Sequence, residues 1–317
     1  MRQPDPVPGA QTVRPIESVI DADYVASVDA RLNSYDAYIE YQMQEARRAL
    51  PFLARFFDVQ TARVLEIGAG RGGKGVAYAR AGMRVAALDV DMAALRLGAD
   101  AARRYGAAVD FLAGDGTRLP FPSDSFDAVL LDSVIEHVGD PFALLQECQR
   151  VLRRGGIVFV VFPPFYGPLS GHIDDYILIP WFHLLPREIV KSKLLSLNRQ
   201  IGILTPRDAY DAYATLNRLT IFRFRRGARR ANFSIAYFHV RPFLTHPGTR
   251  LAVGLIAAVR RPPRLRNLNT VFAQARREFS LSTFLLFLLL SALAPLVFIP
   301  FVQEIAAGGC KAVLRKT

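Results

Sequence analysis

Val64-Leu65-Glu66-Ile67-Gly68-Ala69-Gly70-Arg71-Gly72-Gly73 reads as a buried strand that runs into a turn almost bare of side chains. An apolar helical pattern follows from Val76 through Ala81. Strand, glycine turn and helix in that order make the first half of a nucleotide-binding βαβ unit. Glycine has a physical role there: it permits positive φ, and it lets backbone N–H groups approach a ligand at the helix N-terminus.

Three ligand readings compete for this turn. Gly68, Gly70 and Gly73 satisfy the dinucleotide pattern G-x-G-x-x-G. Gly68 to Lys74 satisfies most of a phosphate-binding loop, but position 75 is glycine, so the hydroxyl that would hold magnesium is missing. The third reading is an S-adenosylmethionine site, with an acid at the strand end before G-x-G-x-G; Glu66, Gly68, Gly70 and Gly72 fit it. The glycines alone do not choose among these, and the strands that follow must.

Arg84 to Leu88 reads as a second strand ending at Asp89, about twenty residues past the turn, where a carboxylate accepts hydrogen bonds from ribose hydroxyls. Met92 to Tyr105 is an amphipathic helix, and Val109 to Ala113 a third strand followed by Gly114-Asp115-Gly116. Phe126 to Leu131 is a fourth strand ending in Asp132-Ser133-Val134-Ile135-Glu136-His137. Pro141 to Leu152 is a helix, Arg153 to Gly156 a turn, and Ile157 to Phe162 a fifth strand stopped by Pro163-Pro164. This alternation predicts an α/β fold with a doubly wound, mostly parallel sheet. Ligands in such sheets bind outside the carboxyl ends of the strands, so Glu66, Asp89, Asp115 and Asp132 should converge on one crevice. A P-loop NTPase reading would leave Asp89 and Asp115 idle.

Together VLEIGAGRGG, ALDVD, AGDGTRLPF, SFDAVLLDSVIEHVGDP and VLRRGGIVFVVFPPF resemble the class I S-adenosylmethionine-dependent methyltransferases, close to the subgroup that includes quinone-biosynthesis methyltransferases. The resemblance is dense from Val64 to about Phe165. It implies S-adenosylmethionine as cofactor, with Glu66, Gly68, Gly70 and Gly72 around its methionine end, Asp89 and Val90 at the ribose, and Asp115 with Gly116 at the adenine. It also implies a seven-stranded sheet whose last strand is antiparallel and slots between the fifth and sixth. Ser234 to Val240 fits the sixth strand and Cys310 to Leu314 the closing one.

An oxygen acceptor benefits from a base that removes its proton. Asp132, His137, His172 and His183 are the candidates at the crevice, and His172, in a loop past the fifth strand, is the first choice. His137 reads equally as a packed or capping residue, and His183, among Trp181, Phe182 and Leu184, as a core histidine. No metal is implied; Asp174-Asp175 beside His172 reads as a solvated loop.

The chain has 317 residues and a net charge of +12, with arginine dense from Arg199 to Arg277, so an anionic partner is expected. Cys148 and Cys310 are the only cysteines and give neither metal spacing nor a disulfide framework, which fits a reducing compartment. The proline-rich N-terminus lacks the apolar run of a signal peptide, so a cytoplasmic protein is expected. The arginines suit RNA phosphates or anionic headgroups alike. Leu251 to Val259 and the charge-free Ser280 to Val302 favour the membrane, because RNA binding gives no reason for either. Pro295 and Pro300 interrupt the second stretch, which predicts a hairpin dipping into one leaflet rather than a crossing.

The expected organisation is a disordered arm (1–32), a helical cap (33–62), the cofactor core (63–166) and a substrate-side insertion with the sixth strand (167–245). A basic and apolar membrane-docking insertion (246–306) and the closing strand (307–317) complete it. The expected activity is methyl transfer to an oxygen of a lipid-linked, saccharide or other hydrophobic acceptor at the cytoplasmic membrane face. Quinone-type C-methylation, RNA methylation and a non-catalytic adaptor are the alternatives.

Overall fold

A computed structural model describes residues 32–177, 179–197, 200–242 and 300–317. The expected arm, apart from its last residue Leu32, and both apolar stretches of the docking insertion, apart from positions 300–302, lie outside these residues. Among the described residues, no helix is long and apolar enough to cross a membrane.

The strands are β1 (Arg63–Ile67), β2 (Arg84–Asp89), β3 (Val109–Ala113), β4 (Phe126–Asp132), β5 (Leu152–Phe162), β6 (Phe233–Pro242) and β7 (Ala307–Lys316). They form one seven-stranded sheet in the order β3-β2-β1-β4-β5-β7-β6. Pairing is parallel from β3 to β5, and β7 runs antiparallel to both β5 and β6. The last strand thus lies where the resemblance implied. Order reverses between β1 and β4, which makes a topological switch point beside the glycine turn.

Helices cover both faces. On one side pack α1 (Tyr35–Leu53), α2 (Gly73–Arg80) and α3 (Met92–Arg104); on the other pack α4 (Pro141–Val151) and α7 (Ile221–Arg230). Val64, Ala128 and Ile157 face the first side, and their neighbours Leu65, Val129 and Val158 the second. Burial on both faces explains why these strands read as continuous apolar runs rather than alternating ones.

Local signals account for the helix starts. Ser34, Asp91 and Asp140 accept N–H bonds from the first turns of α1, α3 and α4. Pro51 sits in the last turn of α1, which ends at Leu53, short of the end of the expected cap. The turn expected at Arg153 to Gly156 is absorbed into β5 as a bulge, where the register against β4 jumps from Phe126–Leu152 to Ala128–Ile157.

After β5 the chain builds a satellite cluster from α5 (Arg187–Ser196) and α6 (Pro206–Ala214), packed on Ile173, Tyr176 and Ile177. Before β7, Glu304 of α8 (Pro300–Ala306) accepts the N–H groups of Ile221 and Phe222 at 3.0 and 2.8 Å, which ties α8 to the start of α7.

Candidate functional site

The glycine turn is shaped differently at each position. Gly68 has φ +70, and a Cβ built on it would lie 2.3 Å from a Val134 methyl. A Cβ on Gly72 would strike the Phe111 ring at 2.7 Å, so this glycine serves packing rather than a ligand. Gly70 faces open space, with nothing within 4 Å of a built Cβ. Its N–H donates to Asp89 Oδ2 at 2.6 Å, while Asp89 Oδ1 accepts from the N–H of Asp91 at 2.9 Å. The strand-end carboxylate therefore also holds the turn.

Two cavities open from this turn and share Ile67, Gly68 and Ser133. One, of about 690 Å³, is lined by Asp89, Val90, Gly114, Asp115 and Gly116. Hydrogen bonds from Thr117 hold the Asp115 carboxyl below the usual carboxylate range. The other, of about 570 Å³, reaches under α1; Tyr38, Tyr41, Tyr78 and Phe159 are among its lining residues, and Glu66, Lys74, Asp132 and His172 among its polar groups. The acids at the ends of β1, β2 and β4 and after β3 do converge, as two lobes of one crevice.

Glu66 is buried, and its Oε2 has no hydrogen-bond partner. Burial pushes its pKa up to about 7 against the pull of Lys74. The Lys74 ammonium lies 2.6 Å from Asp132 Oδ2. Burial opposes the charge on Lys74, but Asp132 and Glu66 outweigh it and hold its pKa above the ordinary lysine value. Asp132, a candidate base from sequence, thus stands in the crevice already paired with a cation.

His172 lines the aromatic lobe and His137 the other. Between them is Glu136, 1% exposed, with neither carboxylate oxygen hydrogen-bonded. His172 Nε2 is 3.4 Å from Glu136 Oε1, and His137 Nε2 is 4.0 Å from the same oxygen. Burial raises the pKa of Glu136. It depresses that of His172 too, but the Glu136 carboxylate prevails and the net shift is upward. Burial and His172 together push His137 down to about 4. The turn is clamped from afar: Asn217 Nδ2 donates to the carbonyls of Ile135 and Val138 at 2.8 and 2.7 Å.

The structure does not bring His183 to the crevice. Its Nε2 is 2.7 Å from the Phe165 carbonyl, its own carbonyl accepts from Tyr213, and it borders a separate cavity with Phe165 and Leu185. This is a satisfied core histidine, because both its polar ends are engaged. His172 keeps company with Glu136 and His137 in place of a free loop position. Sequence reasoning passed over Lys74, Glu136, Thr215 and Asn217. The apolar spacing around Ile135 hid Glu136, and Thr215 and Asn217 carry no local signal.

Asp89→Ala removes an acceptor for two backbone N–H groups as well as a lining carboxylate. Calorimetry with S-adenosylmethionine should show affinity lower by about 10–100-fold, the range of a lost charged hydrogen bond. Unchanged affinity would take Asp89 out of the site.

Comparison with known proteins adds the following. Residues 65–160 match the family described as a methyltransferase domain. A demethylmenaquinone methyltransferase of Renibacterium salmoninarum is 37% identical over 118 residues, which are 37% of this chain and 48% of that protein. An uncharacterised methyltransferase of Mycobacterium sp. strain JLS is 38% identical over 111 residues, 34% of this chain and 42% of the relative. The match therefore spans about half the length of these curated relatives or less. Among solved structures, a putative sarcosine dimethylglycine methyltransferase from Galdieria sulphuraria superposes with a TM-score of 0.52 at 17% identity, over 86% of each chain. That likeness concerns the fold.

Proposed function

We propose, for a chain whose residues 65–160 form a methyltransferase domain of the class I S-adenosylmethionine-dependent kind, that the protein methylates a carbon of an ionisable, quinol-type aromatic ring. The observation that carries this reading is the two-lobed crevice: a lobe at Asp89 and Asp115 joined at Gly68 and Ser133 to a second lobe that sets aromatic rings beside charged groups.

The residues present fit the cofactor. Gly70 leaves space where a side chain would intrude, and Glu66 presents a buried oxygen without a partner. Glu66, Gly68 and Gly70 would hold the methionine end, Asp89 and Val90 the ribose, and Asp115 and Gly116 the adenine. Bound there, S-adenosylmethionine supplies an electrophilic methyl group on a sulfonium, open to in-line displacement.

The protein's part is then placement and control of a proton. Tyr38, Tyr41, Tyr78 and Phe159 offer flat apolar walls that orient a ring and exclude water. An ionised ring hydroxyl makes the neighbouring carbon nucleophilic, so the acceptor's hydroxyl must lose its proton. The cluster of Glu136, His137 and His172 borders both lobes and is the group of this chain suited to that task. Asp132, held by Lys74, acts as a fixed charge at the junction.

O-methylation of a lipid-linked or saccharide acceptor, the first expectation from sequence, drew on apolar stretches outside the described residues. The relative named for demethylmenaquinone supports the quinone-type alternative drawn from sequence. Two observations bear on the anionic surface: α7 presents Arg223, Arg225, Arg226, Arg229 and Arg230, and Phe222 on the same helix is 67% exposed. That pattern suits anionic lipid. The protein should sediment with phosphatidylglycerol vesicles and not with phosphatidylcholine vesicles, and Arg225→Glu with Arg229→Glu should release it. Sedimentation indifferent to lipid charge would remove the surface from the proposal.

The acceptor is tested with methyl-labelled S-adenosylmethionine offered to a reduced, short-chain demethylated quinol, to its oxidised form and to lipid-linked saccharide. Label is expected in the reduced ring, in a form that resists ether cleavage by boron tribromide. Label that cleaves as a methyl ether, or that enters only the saccharide, would overturn carbon methylation.

A further inference from the structure

We propose that Glu136, His137 and His172 form a divalent-cation site for a transition ion of the Zn²⁺, Mn²⁺ or Fe²⁺ kind, with open positions facing the acceptor lobe. One oxygen or nitrogen from each residue can be chosen so that all lie within 4.8 Å of one another. Bonds of roughly 2.0–2.2 Å to histidine nitrogen and carboxylate oxygen set neighbouring ligand atoms about 3–3.5 Å apart. The 3.4 Å between His172 Nε2 and Glu136 Oε1 meets that spacing, and the 4.0 Å to His137 Nε2 needs closure of less than an ångström.

The hydrogen bonds show which atoms are free for an ion. Thr215 Oγ1 donates its one hydrogen to the Ala212 carbonyl at 2.8 Å. With that hydrogen so placed, Oγ1 accepts from His137 Nδ1, 2.7 Å away, and this tautomer puts the proton of the neutral ring on Nδ1. The lone pair of Nε2 is left facing the Glu136 carboxylate with no hydrogen between them. The His172 ring, 3.4 Å from the same carboxylate, supplies a cation there when protonated, and a bound metal ion would take that place. A histidine whose second nitrogen donates to a fixed acceptor is also the usual state of a metal ligand. Independently, Glu136 is buried with neither oxygen hydrogen-bonded, and its contact with His172 Nε2, 3.4 Å from Oε1, is an ion pair without a hydrogen bond. Buried polar atoms without hydrogen bonds are rare in folded proteins, and each needs a cause.

Two imidazoles and one carboxylate suit a borderline divalent ion and leave coordination positions open. His172 borders the aromatic lobe, so an acceptor oxygen entering there can reach such an ion. Coordination would lower the pKa of a bound hydroxyl so that its proton passes to water; with an ion present the cluster would act through the metal rather than as the free base. This role rests on the methyl-transfer reading; ion binding itself does not.

The experiment uses the full chain, stripped with a chelator and freed of S-adenosylmethionine and acceptor. Zn²⁺ is titrated in competition with a chromophoric chelator, and Co²⁺ is followed by its visible bands. One ion per chain is expected, and Glu136→Gln, His137→Ala and His172→Ala should each weaken binding at least 10-fold. S-adenosylmethionine affinity and far-ultraviolet circular dichroism should stay close to those of the parent, which shows that the variants fold. Thr215→Val, which frees the tautomer but keeps every ligand, should weaken binding by about 10–100-fold, with Thr215→Ser restoring it. No binding at millimolar ion, or binding unchanged in the ligand variants, would overturn the site. Either result leaves the quinol assay readable, so failure of the ion site and failure of the acceptor class are distinct.

Discussion

Replacing Gly68 by alanine should cost the fold about 2–5 kcal/mol and abolish measurable cofactor binding. Two effects add. The backbone sits at φ +70, where an L side chain is strained by roughly 1–2 kcal/mol. The new methyl would also lie 2.3 Å from Val134 Cγ2, and forcing an extra methyl into a packed site costs typically ~1–3 kcal/mol. The shift of Val134 would travel along the turn to Glu136 and into the junction of the two lobes. Urea unfolding measures the stability loss and calorimetry the binding. Adding Val134→Ala should recover the steric part and leave the backbone part. A double variant no more stable than the single one would show that the overlap is not the cause.

The cofactor-free protein should lose stability on alkalisation because of Glu66, and Glu66→Gln should abolish that loss. Its carboxyl is raised from 4.5 to about 7 in the folded state, chiefly by burial. A carboxyl raised on folding stabilises the fold when protonated. The contribution is whole below the unfolded value and drains away as pH rises through the folded one. At about 1.4 kcal/mol per unit, the wild type should fall by about 2–3 kcal/mol relative to Glu66→Gln between pH 5 and pH 8. Denaturant melts of both proteins at the two pH values isolate this group from the rest of the titration. Parallel stability curves would mean that Lys74 fully compensates the buried carboxylate in the folded state.

The sheet was legible because its signals are local. The parallel strands are short, mostly apolar runs that stop at glycine, an acid or, for β5, proline, and Glu66, Asp89 and Asp132 mark strand ends by chemistry as well as by position. The antiparallel insertion of β7 came from family resemblance, since no periodicity in Cys310 to Leu314 tells a strand which neighbours it will have. The crevice was half legible. Its acids could be placed by the rule that ligands sit at strand carboxyl ends. The Glu136–His137–His172 cluster could not, because it joins the turn after β4 to a loop after β5 and takes its orientation from Thr215 and Asn217, far along the chain. His183, read from sequence both as a candidate base and, for its aromatic neighbours, as a core histidine, takes the core position with Nε2 on the Phe165 carbonyl. The Lys74–Asp132 pair hid for a similar reason, since a lysine in a glycine turn points to phosphate unless the facing strand is known.

The position of β7 bears on the order of folding. Ile157 pairs with Arg315 and Phe162 with Cys310, so β5 must wait for a partner that arrives from far downstream. Contacts between distant residues form late, because the intervening chain loses loop entropy before they stabilise anything. In the interval β5, an apolar strand fully paired with β4, shows its other edge to solvent, and β6 has no sheet to join. An unpaired apolar edge is a template for other chains. Nascent chains of this protein are thus most vulnerable to aggregation after the cofactor half has formed and before β7 slides in.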